Sequence, residues 1–193
     1  MIATFRGQIP SWHTFAVYTR IATEPAINKN YDYIICDTPP ELFPPTIWGL
    51  YAADYIIIPS NLEELSIAGV KLLLKEVIPE VIYTTKKDLR VLGIALINVT
   101  RKYRQETLNK LEKKIIDYIK RELPRIVYER IYSKPLFNTV IHRYSELSDL
   151  VYTPRRWEIP LSRVISKIKQ LESEIKSFVD EVEERISSFE GVA

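Results

Sequence analysis

The chain is poor in the residues that close small folds and grip small anions. It has one cysteine in 193 residues, Cys36, so no internal disulfide can form. That cysteine ends the apolar run YIIC, which reads as a buried, inert thiol and points to an intracellular location. The five glycines, Gly7, Gly49, Gly69, Gly93 and Gly191, are nowhere closer than twenty residues, and none precedes a lysine. Clustered backbone N–H groups cannot wrap a phosphate without clustered glycine, so the sequence contains no loop of that kind. No apolar run approaches the roughly 20 residues of a membrane span. The opening MIATFRGQIPSWHTF lacks the charged-then-apolar layout of a secretory signal.

What is present is a soluble globular composition with uneven charge. The net charge is +2. Residues 1–80 hold 5 basic and 9 acidic side chains, residues 81–169 hold 20 and 9, and residues 170–193 hold 2 and 7. The middle segment alone is +11. Such a segment suits either a surface facing a polyanion or a solvated helix face.

Short apolar, β-branched runs alternate with segments of helical period. YIIC (33–36), YIIIP (55–59), LRVLGIALINV (89–99) and LFNTVI (136–141) have the pattern of strands buried on both faces. Helices are expected at 44–53, where Pro-Pro suits a first turn, at 65–82 with an interruption at Pro79, and at 104–123. Residues 124–134 fit either a continued helix or a break at proline. The alternation predicts an α/β fold with a mostly parallel sheet flanked by helices. Residues 160–189 carry Leu161, Val164, Ile168, Leu171, Ile175, Phe178, Val182, Ile186 and Phe189 at spacings of three and four almost throughout. That predicts one long amphipathic helix, packed on the body or paired with another helix. The chain thus divides into an α/β part, 1–155, and a C-terminal helix, 156–193.

Three stretches carry candidate chemistry. In CDTPP, Asp37 follows an apolar run directly, where a strand-end carboxylate faces the crevice that binds ligands in open parallel sheets. With the Thr38 hydroxyl beside it, Asp37 suits a magnesium-bound water, or else it caps the next helix. In INVTRKYRQE, Asn98 ends a strand with a side-chain amide able to read a base edge. Arg101, Lys102 and Arg104 follow, placed for phosphates or for solvent. In FNTVIHRYSELSDL, a strand ends on His142 and Arg143, the histidine reading as a packed or hydrogen-bonded residue.

Taken in order, YDYIICDTPP, AADYIIIPSNLEELSIAGVKLLL, LRVLGIALINVTRKYRQETL and LFNTVIHRYSELSDL resemble the ParA/MinD/Soj family of deviant-Walker ATPases, the partition type most of all. The resemblance spans about residues 31–150. It implies a P-loop NTPase-like fold, ATP with Mg²⁺, nucleotide-dependent dimerisation, non-specific DNA binding, a partition partner protein and a cytoplasmic location. On that resemblance Asp37 matches the Walker B aspartate near Mg²⁺ and the attacking water, and Asn98 falls where some members hold adenine. Arg101, Lys102, Arg104 and Arg143 fall near basic residues that contact DNA. The family's IPRN reads IHRY here, and a basic position beyond it is Glu146. The family's KGGxGKT-type loop is missing, so the expectation is an N-terminally truncated member, inactive as an ATPase alone. A P-loop-less accessory module that dimerises or binds DNA is the alternative.

Overall fold

The computed structural model describes residues 24–39, 44–100, 105–144 and 161–191. The chain divides into two compact units, 1–54 with 80–89 and 55–79 with 90–193.

In the first unit, α1 (Pro25–Asn28) is a single turn and α2 is Pro44–Ala52. The prolines at the start of α2 cost nothing, because a first-turn N–H has no helical partner. Its C-terminal end is held by Lys87, whose Nζ donates to the carbonyls of Ala52 at 2.8 Å and Ala53 at 3.3 Å. The same ammonium lies 3.2 Å from the Asp54 carboxylate. A cation at the last carbonyls of a helix complements its dipole.

The expected strand at 33–36 does not form: residues 33–39 are extended but unpaired, and Ile35 is 91% exposed. Cys36 is correspondingly exposed, not buried. The physical reason is the lack of a neighbour. The described part of this unit contains no strand, and a lone strand leaves its backbone groups to water.

The second unit holds β1 (Tyr55–Ser60) and β2 (Arg90–Leu96), paired in parallel. The chain joins them through α3 (Glu64–Leu72), a π-helical turn (Leu73–Val77) and α4 (Ile78–Thr85), whose residues from Glu80 on belong to the first unit. The π turn explains how this helix passes Pro79. Proline has no N–H to donate and its ring crowds the carbonyl four residues back, which the wider turn moves aside. A third segment, 131–143, runs along the other edge of β2 as isolated parallel bridges instead of the expected strand 136–141. Its bonds include Tyr132 N–H to the Val91 carbonyl at 2.9 Å and Phe137 N–H to the Ile94 carbonyl at 3.0 Å.

α5 is Gln105–Glu122, α6 is the turn Arg125–Tyr128 after the break at Pro124, and α7 is Leu161–Glu190. The parallel sheet, its helices and the long C-terminal helix are those expected. α7 lies across the sheet, where Phe178, Val182, Ile186 and Phe189 pack on Tyr55, Ile57, Leu92, Ala95 and Phe137. Two residues expected on its buried seam, Ile168 and Ile175, are 49% and 48% exposed. Polar side chains take that place in the interface instead. Arg185, only 1% exposed, donates to the carbonyls of Leu92 (2.5 Å), Lys134 (2.9 Å) and Leu136 (2.6 Å) and to Glu181 (2.8 Å). Its guanidinium sits 3.9 Å from the Phe137 ring centre and 4.5 Å from that of Tyr132.

The backbone of β2 is shaped for this contact. Ile56 pairs with Val91 and Ile57 with Gly93, so Leu92 is skipped as a bulge and its carbonyl turns to Arg185. Gly93 has φ +146°, and a Cβ there would collide with the Arg185 guanidinium and stand 2.9 Å from the Pro135 carbonyl.

Truncating Arg185→Ala strands three carbonyls and the Glu181 carboxylate. Loss of one partner from a buried charged network costs about 3–5 kcal/mol. Urea unfolding followed by circular dichroism should show a loss of that order; a loss under 1 kcal/mol would contradict this account.

Candidate functional site

The candidate residues fall in both units, and each group is described in its own. In the first unit Asp37 is exposed and Thr38 half-buried. The loop is pinned to the start of α2, where the Thr46 hydroxyl donates to the Pro39 carbonyl at 3.0 Å. The Thr38 γ-methyl presses on Gly49, where a Cβ would come within 2.8 Å. Asp37 precedes the first residue of α2 by seven positions, so it is not the cap of that helix. Its carboxylate is open to water.

In the second unit the carboxyl end of β2 carries Asn98 and the segment beside it carries Arg143. Asn98 adopts φ +56°, a left-handed conformation that asparagine tolerates better than most residues. The next residue joins the two chains, with Val99 N–H on the Ile141 carbonyl at 3.2 Å and Arg143 N–H on the Val99 carbonyl at 2.9 Å. Asn98 and Arg143 are therefore brought to one sheet edge, both exposed. Arg101, Lys102 and Arg104 lie outside the described residues.

His142 faces α7. Glu174 accepts from its backbone N–H at 3.0 Å and from the Tyr144 hydroxyl at 2.7 Å, and lies 2.8 Å from its Nδ1. One turn-pair further along, Glu181 accepts from the N–H groups of Asn138 at 2.8 Å and Thr139 at 2.9 Å. Burial alone would raise both carboxyls. The hydrogen bonds outweigh it, those from His142 and Tyr144 at Glu174 and those from Asn138, Thr139 and Arg185 at Glu181, and hold each below the ordinary carboxylate range. Sequence reasoning read His142 as a hydrogen-bonded residue and missed its partner. The available signal was the spacing of Glu174, Glu181 and Arg185, which puts three charges along the flank of the apolar seam.

No group of three potential metal-binding side chains occurs among the described residues. Asp37 suits a hydrated magnesium ion, which takes few protein carboxylates. The phosphates of a nucleotide are another matter. With its glycines so dispersed, the chain offers no backbone cradle for them, and no reaction step follows from its residues alone.

A family model described as an AAA domain matches residues 21–91. The sporulation initiation inhibitor protein Soj of Bacillus subtilis is 35% identical, over 44% of this chain and 38% of its own length. In sequence the chain is thus similar to an AAA-domain family model and to Soj. An uncharacterized protein of Methanocaldococcus jannaschii is 38% identical, over 52% of this chain and 36% of that protein. The solved structure of pnob8 ParA matches with a TM-score of 0.68 at 21% identity, covering 95% of this chain and 64% of that one, which shows a shared fold. The chain spans little more than a third of the length of these curated relatives. Among the described residues, no helix is long and apolar enough to cross a membrane.

The depressed carboxyls set a pH dependence. A group whose folded pKa lies below its unfolded one contributes stability above the unfolded pKa and loses it as pH falls through the folded value. The parent should therefore lose stability on acidification below the usual carboxylate range. In Glu174→Gln that acid-side slope should be shallower, as read from urea midpoints between about pH 6 and 3. An unchanged slope would remove Glu174 from the explanation.

Proposed function

We propose that this chain is the Walker B side of a ParA-like partition ATPase that acts in DNA segregation. Asp37 stands near Mg²⁺ and the attacking water, Thr38 lines the same turn, and Asn98 meets the adenine. Arg101, Lys102, Arg104 and Arg143 contact DNA phosphates. Residues 1–155 are the partial ATPase domain, and the C-terminal segment 156–193, through its helix Leu161–Glu190, docks a second copy or a partition partner. The observation that carries the reading is the likeness to Soj, together with the AAA-domain match over residues 21–91, a span that contains YDYIICDTPP.

Phosphoryl transfer depends on positioning and charge around the γ-phosphate, which requires a phosphate grip. Asp37 supplies the water-and-metal side of that arrangement only. Hydrolysis thus requires a glycine-rich loop from outside these 193 residues. A P-loop-less module that dimerises or binds DNA is the second reading. It is favoured by the way α7 closes the hydrophobic core of its own unit without another chain.

The purified 193-residue chain should show no ATP turnover above background in a phosphate-release assay. Turnover that disappears in Asp37→Ala would overturn the assignment of inactivity. Duplex DNA binding should be salt-sensitive and indifferent to sequence. Lys102→Ala with Arg104→Ala should weaken it at 0.1 M salt by roughly 60-fold, the counterion contribution of two phosphates relative to 1 M salt. Equal binding by that variant in fluorescence anisotropy would remove the loop from the interface.

A further inference from the structure

The solvent face of α5 is charged in a way that neither the fold nor the nucleotide chemistry uses. Leu108, Leu111, Ile115 and Ile119 form its inner stripe, with Ile115 and Ile119 buried. On the outside Lys110, Lys113, Lys114, Lys120 and Arg121 are all exposed. Lys110 is paired with Glu106 at 2.7 Å. Arg121 donates through Nε to the Asp117 carbonyl at 3.2 Å, and its terminal nitrogens remain at the surface. Among the described residues Lys113, Lys114 and Lys120 have neither ion pair nor hydrogen bond. Exposed Asp117 lies among them and offsets part of the charge, which leaves this face net positive.

We infer that the outer face of α5, through Lys113, Lys114 and Lys120, is a phosphate-contacting surface for duplex nucleic acid. This rests on the DNA-binding reading above and places a further contact row on the helix that follows residues 101–104 in the chain. The dimensions fit. Lys110 to Arg121 spans about 16 Å at the helical rise, a length along which a duplex presents roughly ten charges. The contact is with backbone phosphates, since the row offers ammonium groups and no side-chain amide aimed at a base edge. An anionic membrane is the poorer fit. A helix lying in a membrane interface buries its apolar face in lipid, and the apolar face of α5 is already buried in the protein.

The test compares the full chain with two variants of equal net charge. One carries Lys113→Ala, Lys114→Ala and Lys120→Ala; the other carries Lys86→Ala, Lys169→Ala and Lys176→Ala, three exposed lysines elsewhere. Alanine favours helix at the five helical sites, and Lys86, outside a helix at φ +58°, is exposed; circular dichroism should show both variants folded. Duplex affinity is measured by anisotropy across a salt series. The α5 variant should give a log–log salt slope shallower by about two to three, from roughly 0.9 per phosphate lost. The control variant should keep the parental slope. Parental binding with an unchanged slope in the α5 variant overturns this inference and leaves the DNA reading intact. An equal change in both variants overturns it too, by showing only general charge. Absence of parental binding at low salt, or capture by phosphatidylserine vesicles without duplex binding, removes the DNA reading itself and this surface with it.

Discussion

The second unit is organised around one buried guanidinium. Arg185 reaches from α7 into the sheet and joins three carbonyls, from Leu92 of β2, from Lys134 and from Leu136. A lysine would bring one rotating ammonium to the same place. The planar fork of arginine reaches several acceptors at once and stacks between the Phe137 and Tyr132 rings. The Leu92 bulge, the unusual Gly93 backbone and the irregular path of 131–143 all follow from making room for it. Glu181 neutralises the charge and turns its remaining oxygen to the Thr139 N–H, so the helix and the loop are fixed together.

That clamp also positions the candidate site. Segment 131–143 is too irregular to hold its place by a strand ladder alone. It is held on one side by β2 and on the other by Glu174, Glu181 and Arg185, spaced so that one helix face meets loop residues 134–144 at three levels. The last level, Glu174 on His142 and Tyr144, fixes the backbone that sets Arg143 beside Asn98 at the sheet edge. A helix whose pattern suits either packing on the body or pairing with another helix is, in this unit, a brace for its own sheet.

Much of this was legible in the residues. The β-branched runs at 55–59 and 89–99, the helix starting at Pro44 and the long C-terminal helix all follow from periodicity and proline chemistry. The misses have a common cause. YIIC has the composition of a buried strand, yet a strand is a property of a pair, and composition cannot supply the partner. LFNTVI has the same composition and lies beside β2, but its backbone N–H groups at 138 and 139 are taken by Glu181, which breaks the ladder. Arg185 and Glu181 were invisible because charged residues next to an apolar seam read as its solvent flank. Their burial depends on carbonyls elsewhere in the chain.

Asp37 and the clamp illustrate two kinds of inheritance. The residues after Asp37 are held by local contacts, the Thr46 hydroxyl on Pro39 and the Thr38 methyl on Gly49. The Asp37 carboxylate remains exposed and available. A phosphate grip is different, because it requires several glycines within one loop and these 193 residues never place two closer than twenty apart. Local contacts can therefore hold an exposed carboxylate in place in a sequence that has no means of building a phosphate grip. The basic residues after β2 need neither. Long-range attraction to a polyanion requires only exposed cations on a folded support, and the support for α5 is the hydrophobic stripe that packs Ile115 and Ile119 into the body.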